Sequence, residues 1–308
     1  MATHDSHAAV FDAQRPLLLG VAYRVLGRVA DAEDVVQESW LRWSRVDQTI
    51  VNDPRAFLVR VATRLALDRL RRIKAQHEEY IGPWLPEPIM TQPDPVERVE
   101  RTEAISLALL VVLESLSPLE RAVFVLREAF GYSHAEIADI LGRNEAAIRQ
   151  LAIRARNHVQ ARRPRFDSDP STRREVTERF LQATSRGDLA GLLEVLAPGV
   201  TLVADGGGLV RAPRMPLQGA DAVARFFVGV SRPEVIASWL QLPGPDQLPD
   251  LRLVQVALNG EPGIVVLAEG KPITAIVLEV GDKRVQAIQL IANPEKLNGV
   301  ADVNWTAL

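Results

Sequence analysis

Residues 132–165, YSHAEIADILGRNEAAIRQLAIRARNHVQARRPR, have the pattern of two short helices joined by a tight turn. Ser133 followed by Glu136 makes a capping box, which predicts where the first helix begins. Gly142 supplies the positive φ that ends this helix. The second helix then places four small or apolar residues at helical spacing on one side: Ile148, Leu151, Ala152 and Ala155.

The other side of the second helix is mostly polar, with Ala146, Arg149, Gln150, Arg154 and Asn157. Two helices packed steeply around a Gly turn are typical of a helix-turn-helix, whose second helix lies in the major groove of DNA. Residues 143–165 contain seven Arg and one Glu, a charge that favours a phosphate-lined partner. An ordinary αα-hairpin with a solvated basic face would give the same pattern, so both interpretations stay open here.

The composition narrows the class of protein. A length of 308 residues predicts two or three domains, and 47% hydrophobic residues with a net charge of −3 indicate a globular protein. The absence of Cys excludes disulfides and thiolate zinc sites, and the five His lack metal-ligand spacing, so neither a metal nor a cofactor is expected. No apolar run reaches the ~18 residues of a membrane span, which predicts a cytoplasmic protein without membrane contact.

The charge is unevenly distributed along the chain. Residues 76–103 hold seven acids, two Arg and five Pro, which predicts a linker, although Trp84 and Leu85 favour its docking. Without this linker, residues 1–166 carry 21 basic and 15 acidic residues. The segments on either side of the linker are therefore basic.

Three helices are predicted before the linker. Residues 8–30 form an amphipathic helix, and Asp31 is the predicted cap of the next, DAEDVVQESWLRWSRV. Its acids suit the helix macrodipole, but they also form a patch that could dock a basic partner. Trp40 and Trp43 follow as core or exposed aromatics. The third helix, from Pro54, has seven basic residues up to Lys74, typical of a solvated face or of a single-strand site.

The composition changes after residue 166. Two helices, a strand ending in a Gly-rich turn and a third helix are followed by four strand-like runs. Asn259-Gly260 and Gly281-Asp282 mark hairpin turns, so we predict an α+β domain with a curved antiparallel sheet. Residues 167–308 contain no His, Tyr or Cys, which disfavours acid–base catalysis. A small ligand inside this domain remains an open alternative.

Two segments resemble the domains of a known family. Residues 8–75 resemble the σ2 domain of extracytoplasmic-function (ECF) RNA polymerase sigma factors, and residues 104–165 resemble their σ4 domain. Residues 170–300 look like a SnoaL-like domain of the nuclear-transport-factor-2 cone fold, which a subgroup of these factors carries. That subgroup has three short motifs, which stand here as WLPEP (Trp84–Pro88), DGGG (Asp205–Gly208) and NPEKL (Asn293–Leu297).

The resemblance implies a multidomain protein with two all-α domains followed by an α+β cone domain. Its expected segments are σ2 at 1–75, the linker at 76–103, σ4 at 104–165, the SnoaL-like domain at 170–300 and a tail at 301–308. The implied partners are promoter DNA and core RNA polymerase, through the β′ clamp and the β flap. The resemblance implies no enzymatic activity and no requirement for a separate anti-sigma factor.

Site residues follow from the same resemblance, position by position. Those implied to contact polymerase are Asp31, Asp34, Gln37 and Glu38. Those implied to contact the −10 element are Trp40, Trp43, Arg60, Arg64, Arg69 and Arg71. Those implied to contact the −35 element are Glu145, Ala146, Arg149, Gln150 and Arg154.

The three motifs imply regulation by the C-terminal domain, which would dock on the sigma core and adjust its activity. The residues expected to mediate this docking are Trp84, Leu85, Pro86, Asp205, Gly206, Gly207, Gly208, Asn293, Pro294, Glu295, Lys296 and Leu297. The alternative is a stand-alone helix-turn-helix regulator with a ligand-sensing cone domain.

Overall fold

The computed structural model describes residues 2–47, 50–76, 80–91, 105–162, 169–239, 242–301 and 305. They form a helical unit within residues 1–78, 93–105 and 109–163 and a second unit within 79–92, 106–108 and 164–308. The predicted order of helical domains followed by an α+β domain is confirmed. Residues 77–79 and 92–103 of the predicted linker, residues 163–168 and most of the predicted tail lie outside the described residues.

The helical unit begins with three long helices, α1 (Ala2–Leu26), α2 (Val29–Trp43) and α3 (Pro54–Gln76), which pack on one another. Helix α2 starts before Asp31, and its N-cap position, Arg28, makes no side-chain cap. The prediction that Asp31 caps this helix is therefore wrong. Asp31 is the third residue of the helix and is buried, because its carboxylate binds Arg69 of α3.

The rest of the helical unit comprises α4 (Leu107–Glu114), α5 (Pro118–Phe124), a π-helical turn (Val125–Ala129), α6 (His134–Leu141) and α7 (Glu145–Arg162). Ser133 and Glu136 form the predicted capping box of α6. Gly142 ends that helix with a φ of 64°. These two features confirm the predicted ends of the first helix of the helix-turn-helix, because they depend on bonds between residues close together in the chain.

The second unit combines α8 (Pro170–Ser185), α9 (Leu189–Val195), α10 (Ala220–Val230) and α11 (Pro233–Trp239) with one sheet and a final short helix, α12 (Asn298–Ala301). The strands are β1 (Leu196–Asp205), β2 (Leu217–Gln218), β3 (Leu251–Leu258), β4 (Glu261–Ala268), β5 (Lys271–Gly281) and β6 (Arg284–Ile291), in the order β2-β1-β6-β5-β4-β3.

The sheet is mixed rather than antiparallel. Strand β1 pairs parallel with β6, whereas the other neighbours are antiparallel. The prediction of an antiparallel sheet is wrong for β1 and β6. These strands are far apart in the chain, so no tight turn between them sets their relative direction. Asn259-Gly260 forms a hairpin turn as predicted, but the second turn lies at Asp282-Lys283, one residue late, because Gly281 still pairs with Arg284.

Both faces of the central strands are buried. Ile264, Ile276 and Ile288, with even numbers, join a core that includes Phe180 and Phe227 of the helices. Odd-numbered Val265, Ala275, Val277 and Ile291 are also buried, on the opposite face. Asp205, at the end of β1, has the same parity as Ile291, its register partner, and lies on that second face.

Candidate promoter-binding and regulatory sites

Helix α7 presents the predicted polar surface. Ile148, Ala155 and Val159 are buried, whereas Ala146, Arg149, Gln150 and Arg154 are exposed and Glu145 is half-buried. Arg149 binds Glu145 at 2.5 Å, and Arg154 binds Glu120 at 3.1 Å. Because exposed ion pairs contribute only about 0–1 kcal/mol, these guanidinium groups can exchange their carboxylates for phosphates or bases.

The predicted polymerase-binding surface on α2 is partly used inside the unit. Arg69 of α3 binds Asp31 at 2.6 Å and Asp34 at 2.7 Å. Although partial burial lowers it, the bonds to these two carboxylates raise the pKa of Arg69. Asp31 therefore points inward, and Asp34, Gln37 and Glu38 remain exposed. Arg69, predicted to contact the DNA backbone, is engaged with α2.

The two Trp residues of α2 have different surroundings. Trp43 is fully buried, its Nε1 donates to the carbonyl of His7 at 3.0 Å, and its ring lies 5.8 Å from that of Phe57. Trp40 is half-buried, with its ring edge-on to Phe11. In this structure Trp43 is a core residue, and only Trp40 has an accessible ring for stacking on a base.

Helix α3 contacts the helix-turn-helix directly. Arg64 is exposed, yet its Nε donates to the carbonyl oxygen of Ile140 in α6 at 3.0 Å. Lys74 donates to the carbonyls of Glu114 and Leu116, at 3.0 and 2.6 Å, and burial lowers its pKa. The predicted σ2 and σ4 helices are thus packed together. Arg60 and Arg71 are exposed, and Arg71 pairs with Asp68.

A second contact between these regions was not predicted. Arg121 of α5 is fully buried, its Nε donates to the carbonyl of Arg24 in α1 at 3.1 Å, and it also pairs with Glu114. One Arg in an amphipathic helix carries no signal in the sequence that would distinguish it from a surface residue.

The second unit brings the three short motifs together in one buried group, which we call the motif cluster: Tyr80, Trp84, Leu85, Asp205, Asn293 and Lys296. At its centre the Asp205 carboxylate, fully buried, accepts four hydrogen bonds. Oδ1 accepts from the Tyr80 hydroxyl at 2.6 Å and the Gly207 amide at 3.0 Å. Oδ2 accepts from the Leu85 amide at 2.8 Å and Lys296 Nζ at 2.6 Å.

Lys296 completes the charge balance of the motif cluster. Its ammonium group is buried and donates to Asp205 and to the carbonyl of Leu85 at 2.7 Å. It also lies 3.9 Å from the ring centroid of Trp84 and 5.0 Å from that of Tyr80, the geometry of a cation–π contact. Buried charges are tolerated when they are paired and hydrogen-bonded, as both are here.

The glycines of the DGGG motif are required by close packing in this group. Gly207 has a φ of 63°, and a Cβ there would lie 2.4 Å from Nδ2 of Asn293. A Cβ on Gly206 would lie 2.6 Å from the carbonyl oxygen of Val210. Asn293 in turn donates to the Tyr80 hydroxyl at 3.0 Å. The motif therefore allows the turn after β1 to approach the NPEKL segment.

The described part of the linker is held along its length. Buried Glu87 accepts from the amide of Gly299, and the Ile89 amide donates to Asn259 Oδ1 at 3.1 Å. The Thr91 amide donates to the carbonyl of Ala257 at 2.9 Å. Tyr80 and Glu87 were not among the residues predicted from the sequence to mediate docking. The available signal for Tyr80 was its aromatic ring, which follows the polar residues 76–79.

Within the described ranges, no three His, Asp or Glu side chains form a group that could hold a metal ion. In the same ranges, no helix is both long enough and apolar enough to span a membrane.

Comparisons with known proteins agree with the helical geometry. The sequence profile of Sigma-70 region 2 matches residues 10–76, and that of Sigma-70 region 4 matches residues 106–159. The ECF RNA polymerase sigma factor SigJ of Mycobacterium tuberculosis is 41% identical over 302 residues, covering 94% of this chain and 92% of SigJ. A crystal structure of M. tuberculosis SigJ superimposes with a TM-score of 0.72 at 36% identity, covering 95% of this chain and 98% of that chain.

Proposed function

The chain belongs to the ECF family of RNA polymerase sigma factors, and we propose that it binds core polymerase and directs initiation at specific promoters while its C-terminal unit regulates it. Its role in transcription initiation follows from the family. The finer assignments are our proposal: σ2 within 1–75, σ4 within 104–165, a regulatory SnoaL-like domain within 170–300, and no separate anti-sigma factor.

The observation that carries the regulatory part is the motif cluster. Asp205 and Lys296 belong to the C-terminal unit, yet both bind Leu85, which lies in the chain segment connecting α3 to α4. A domain that holds this connector limits how far the two proposed DNA-binding regions can separate from each other.

Simple lengths support this role. Promoter elements near −10 and −35 lie 25 base pairs apart, which is about 85 Å of duplex. The thirty residues between Gln76 and Leu107 can extend to about 100 Å when free, so they can bridge that distance. Holding residues 80–91 on the C-terminal unit leaves 18 of these thirty residues free, which extend to about 60 Å. The held connector is therefore expected to be inhibitory.

The contact between α3 and α6 supports the same direction. Arg64, a predicted −10 contact, is bonded to the carbonyl of Ile140 in the −35 reader. Two regions that touch each other cannot occupy elements about 85 Å apart. This arrangement is the resting state in our proposal, and promoter binding requires it to open.

Transcription in vitro with purified core polymerase tests the proposal. The double variant Asp205→Asn/Lys296→Met removes both charges of the motif cluster together, which avoids leaving one buried charge unpaired. We expect several-fold higher output than from the unchanged protein, from the same start sites. The matched control, Asp221→Asn/Arg225→Met, removes an exposed ion pair on α10 of the same unit and should leave output unchanged.

The outcomes separate the two parts of the proposal. Selective initiation by the unchanged protein supports its role as a sigma factor. Equal output from the two double variants would rule out regulation through the motif cluster. Lower output from Asp205→Asn/Lys296→Met, with the fold retained, would show that the held linker assists initiation and would reverse the proposed sign.

A further inference from the structure

The second unit contains a cavity of about 660 Å³, bounded by α8, α10 and α11 and by strands β3 to β6. This volume is within the range of small-molecule sites, about 300–1,000 Å³. Filled with solvent it would hold roughly 20 water molecules. Its walls are mainly apolar and aromatic, with Phe226, Phe227, Leu253 and Ile276 among them.

Two residues that line this cavity each have a buried polar atom without a partner in the described ranges, Oγ1 of Thr184 and Nε1 of Trp239. The other buried hydroxyls of the wall are already used. Ser231 donates to the carbonyls of Thr184 and Phe227, and Thr274 donates to the carbonyl of Ile273. Because an unsatisfied buried donor is costly, a ligand oxygen that reaches either atom after a small movement of the wall would be stabilised by the new hydrogen bond.

The charged residues of the cavity wall indicate which charge a ligand would carry. Of the described residues that line the cavity, Arg211 is the only charged one, and it is exposed and forms no ion pair within that part of the chain. Among the lining residues that the structure describes there is no Asp, Glu, His or Tyr that could act as a general acid or base. The cavity is thus suited to binding rather than to catalysis.

We propose that this cavity binds an amphipathic carboxylic acid, with an apolar body inside and a carboxylate that accepts from Trp239 and Thr184 while Arg211 supplies the opposite charge. The wall also connects the cavity to the linker. Residues 211–213 line a second cavity, of about 230 Å³, together with linker residues 81–83 and with Gly206 and Gly208. A bound acid therefore changes the environment of the held linker, a step that rests on the proposed function.

Calorimetric titration of the full-length protein tests the site, with decanoate, decanol and decylammonium as probes of equal chain length. We expect decanoate to bind at least tenfold more tightly than decanol and decylammonium not to bind. Arg211→Gln should reduce the preference for decanoate over decanol. Trp239→Phe, which keeps an aromatic ring and removes the donor, should weaken decanoate binding about fivefold or more.

A filling variant provides the strongest control. Leu253→Trp places a larger side chain in the cavity and should abolish binding, whereas Leu193→Trp, at an exposed position of α9, should leave it unchanged. Equal affinity for the three probes, or full decanoate affinity in Leu253→Trp, would overturn the site. The surface variant Arg211→Gln keeps the test decisive if Leu253→Trp does not fold.

Hydrogen exchange of residues 80–91 tests the connection to the linker. We expect the exchange rates to change when decanoate is bound. Decanoate binding without any such change would overturn this step and leave the site itself supported. Because calorimetry involves neither polymerase nor DNA, failure of the site and failure of the proposed sigma regulation give different results.

Discussion

Asp205 and Lys296 are 91 residues apart and meet in the interior of the second unit. Each is almost completely buried, and each also binds the backbone of Leu85. A pair of this kind is strongly destabilised when one partner is removed, because the remaining charge stays buried without compensation. At the scale of single residues, this buried pair joins the linker to the strands and helices of the second unit.

The single variant Asp205→Asn should lower the free energy of unfolding of the second unit by about 3–5 kcal/mol, because Lys296 loses its counter-charge. Urea titration would measure this loss, and faster hydrogen exchange at the Leu85 amide would locate it. Asp221→Asn, in the exposed pair with Arg225, is the control and should leave the unfolding transition in place. Equal transitions for the two variants would contradict the importance of the buried pair.

Glu279 in β5 gives a prediction about pH. Burial raises the pKa of its carboxyl above the ordinary 4.5, the bond from Gln289 lowers it, and the charge of Glu261 raises it. Because the folded state holds the proton of Glu279 more tightly than the unfolded state does, the protonated carboxyl stabilises the fold. This contribution to the free energy of unfolding is complete below pH 4.5 and is lost as the pH rises through the folded-state pKa. This group therefore destabilises the second unit at neutral pH.

Glu279→Gln should remove that loss, because the amide cannot ionise and its oxygen can still accept from Gln289. We expect greater stability than in the unchanged protein at pH 7 and no difference near pH 4, measured by urea unfolding at several pH values. Glu234→Gln, at an exposed position of α11, is the control. A Glu279→Gln protein whose stability has the same pH profile as the unchanged chain would contradict the assignment.

At the scale of elements, α7 presents the exposed polar surface that we propose reads the −35 element. Arg149→Ala should weaken binding to the preferred −35 sequence by about 1–3 kcal/mol and should reduce discrimination at one base pair, if Arg149 reads a base. Binding of the polymerase holoenzyme to a library of −35 variants would measure this effect. The control is Arg156→Ala, two turns closer to the C-terminus of α7 and paired with Glu128, because recognition helices contact bases mainly through their N-terminal residues.

The pattern of loss decides the role of Arg149. A reduction confined to some −35 variants indicates base readout, whereas a uniform reduction across the library indicates a phosphate contact. No change at all would contradict the assignment of α7 as the −35 reader.

At the scale of the whole molecule, the proposal requires the helical unit to open on the promoter. The chain has no Cys, so spin labels can be placed at chosen positions. With labels at Asp12→Cys on α1 and Gln160→Cys on α7, both exposed, the distance should lengthen by tens of ångströms when holoenzyme binds promoter DNA. Pulsed electron paramagnetic resonance would measure it.

A label pair within the σ2 region provides the reference for that experiment. Asp12→Cys with Arg45→Cys spans α1 and the end of α2, and its distance should stay constant. If the pair across σ2 and σ4 is equally constant on the promoter, the contact between α3 and α6 is not a resting state and the inhibitory interpretation fails.

Local chemistry allowed the helix-turn-helix to be predicted from the sequence alone. Ser133 with Glu136 and the positive φ of Gly142 set the ends of α6 through bonds between residues at most four apart in the chain. The apolar spacing of Ile148 and Ala155 likewise predicted the buried side of α7. Such features depend on backbone geometry and side-chain periodicity, which are properties of short stretches.

Tertiary packing decided what the polar side chains do. The sequence predicted Asp31 as a cap and Trp43 as either core or surface, and the structure pairs Asp31 with Arg69 and buries Trp43. The tertiary structure also places Asp205, Lys296 and Leu85 in one buried group, although the sequence showed only the motifs to which they belong. Partners so distant in the chain have no local signal, because their bonds exist only when burial removes competing water and folding brings the segments together.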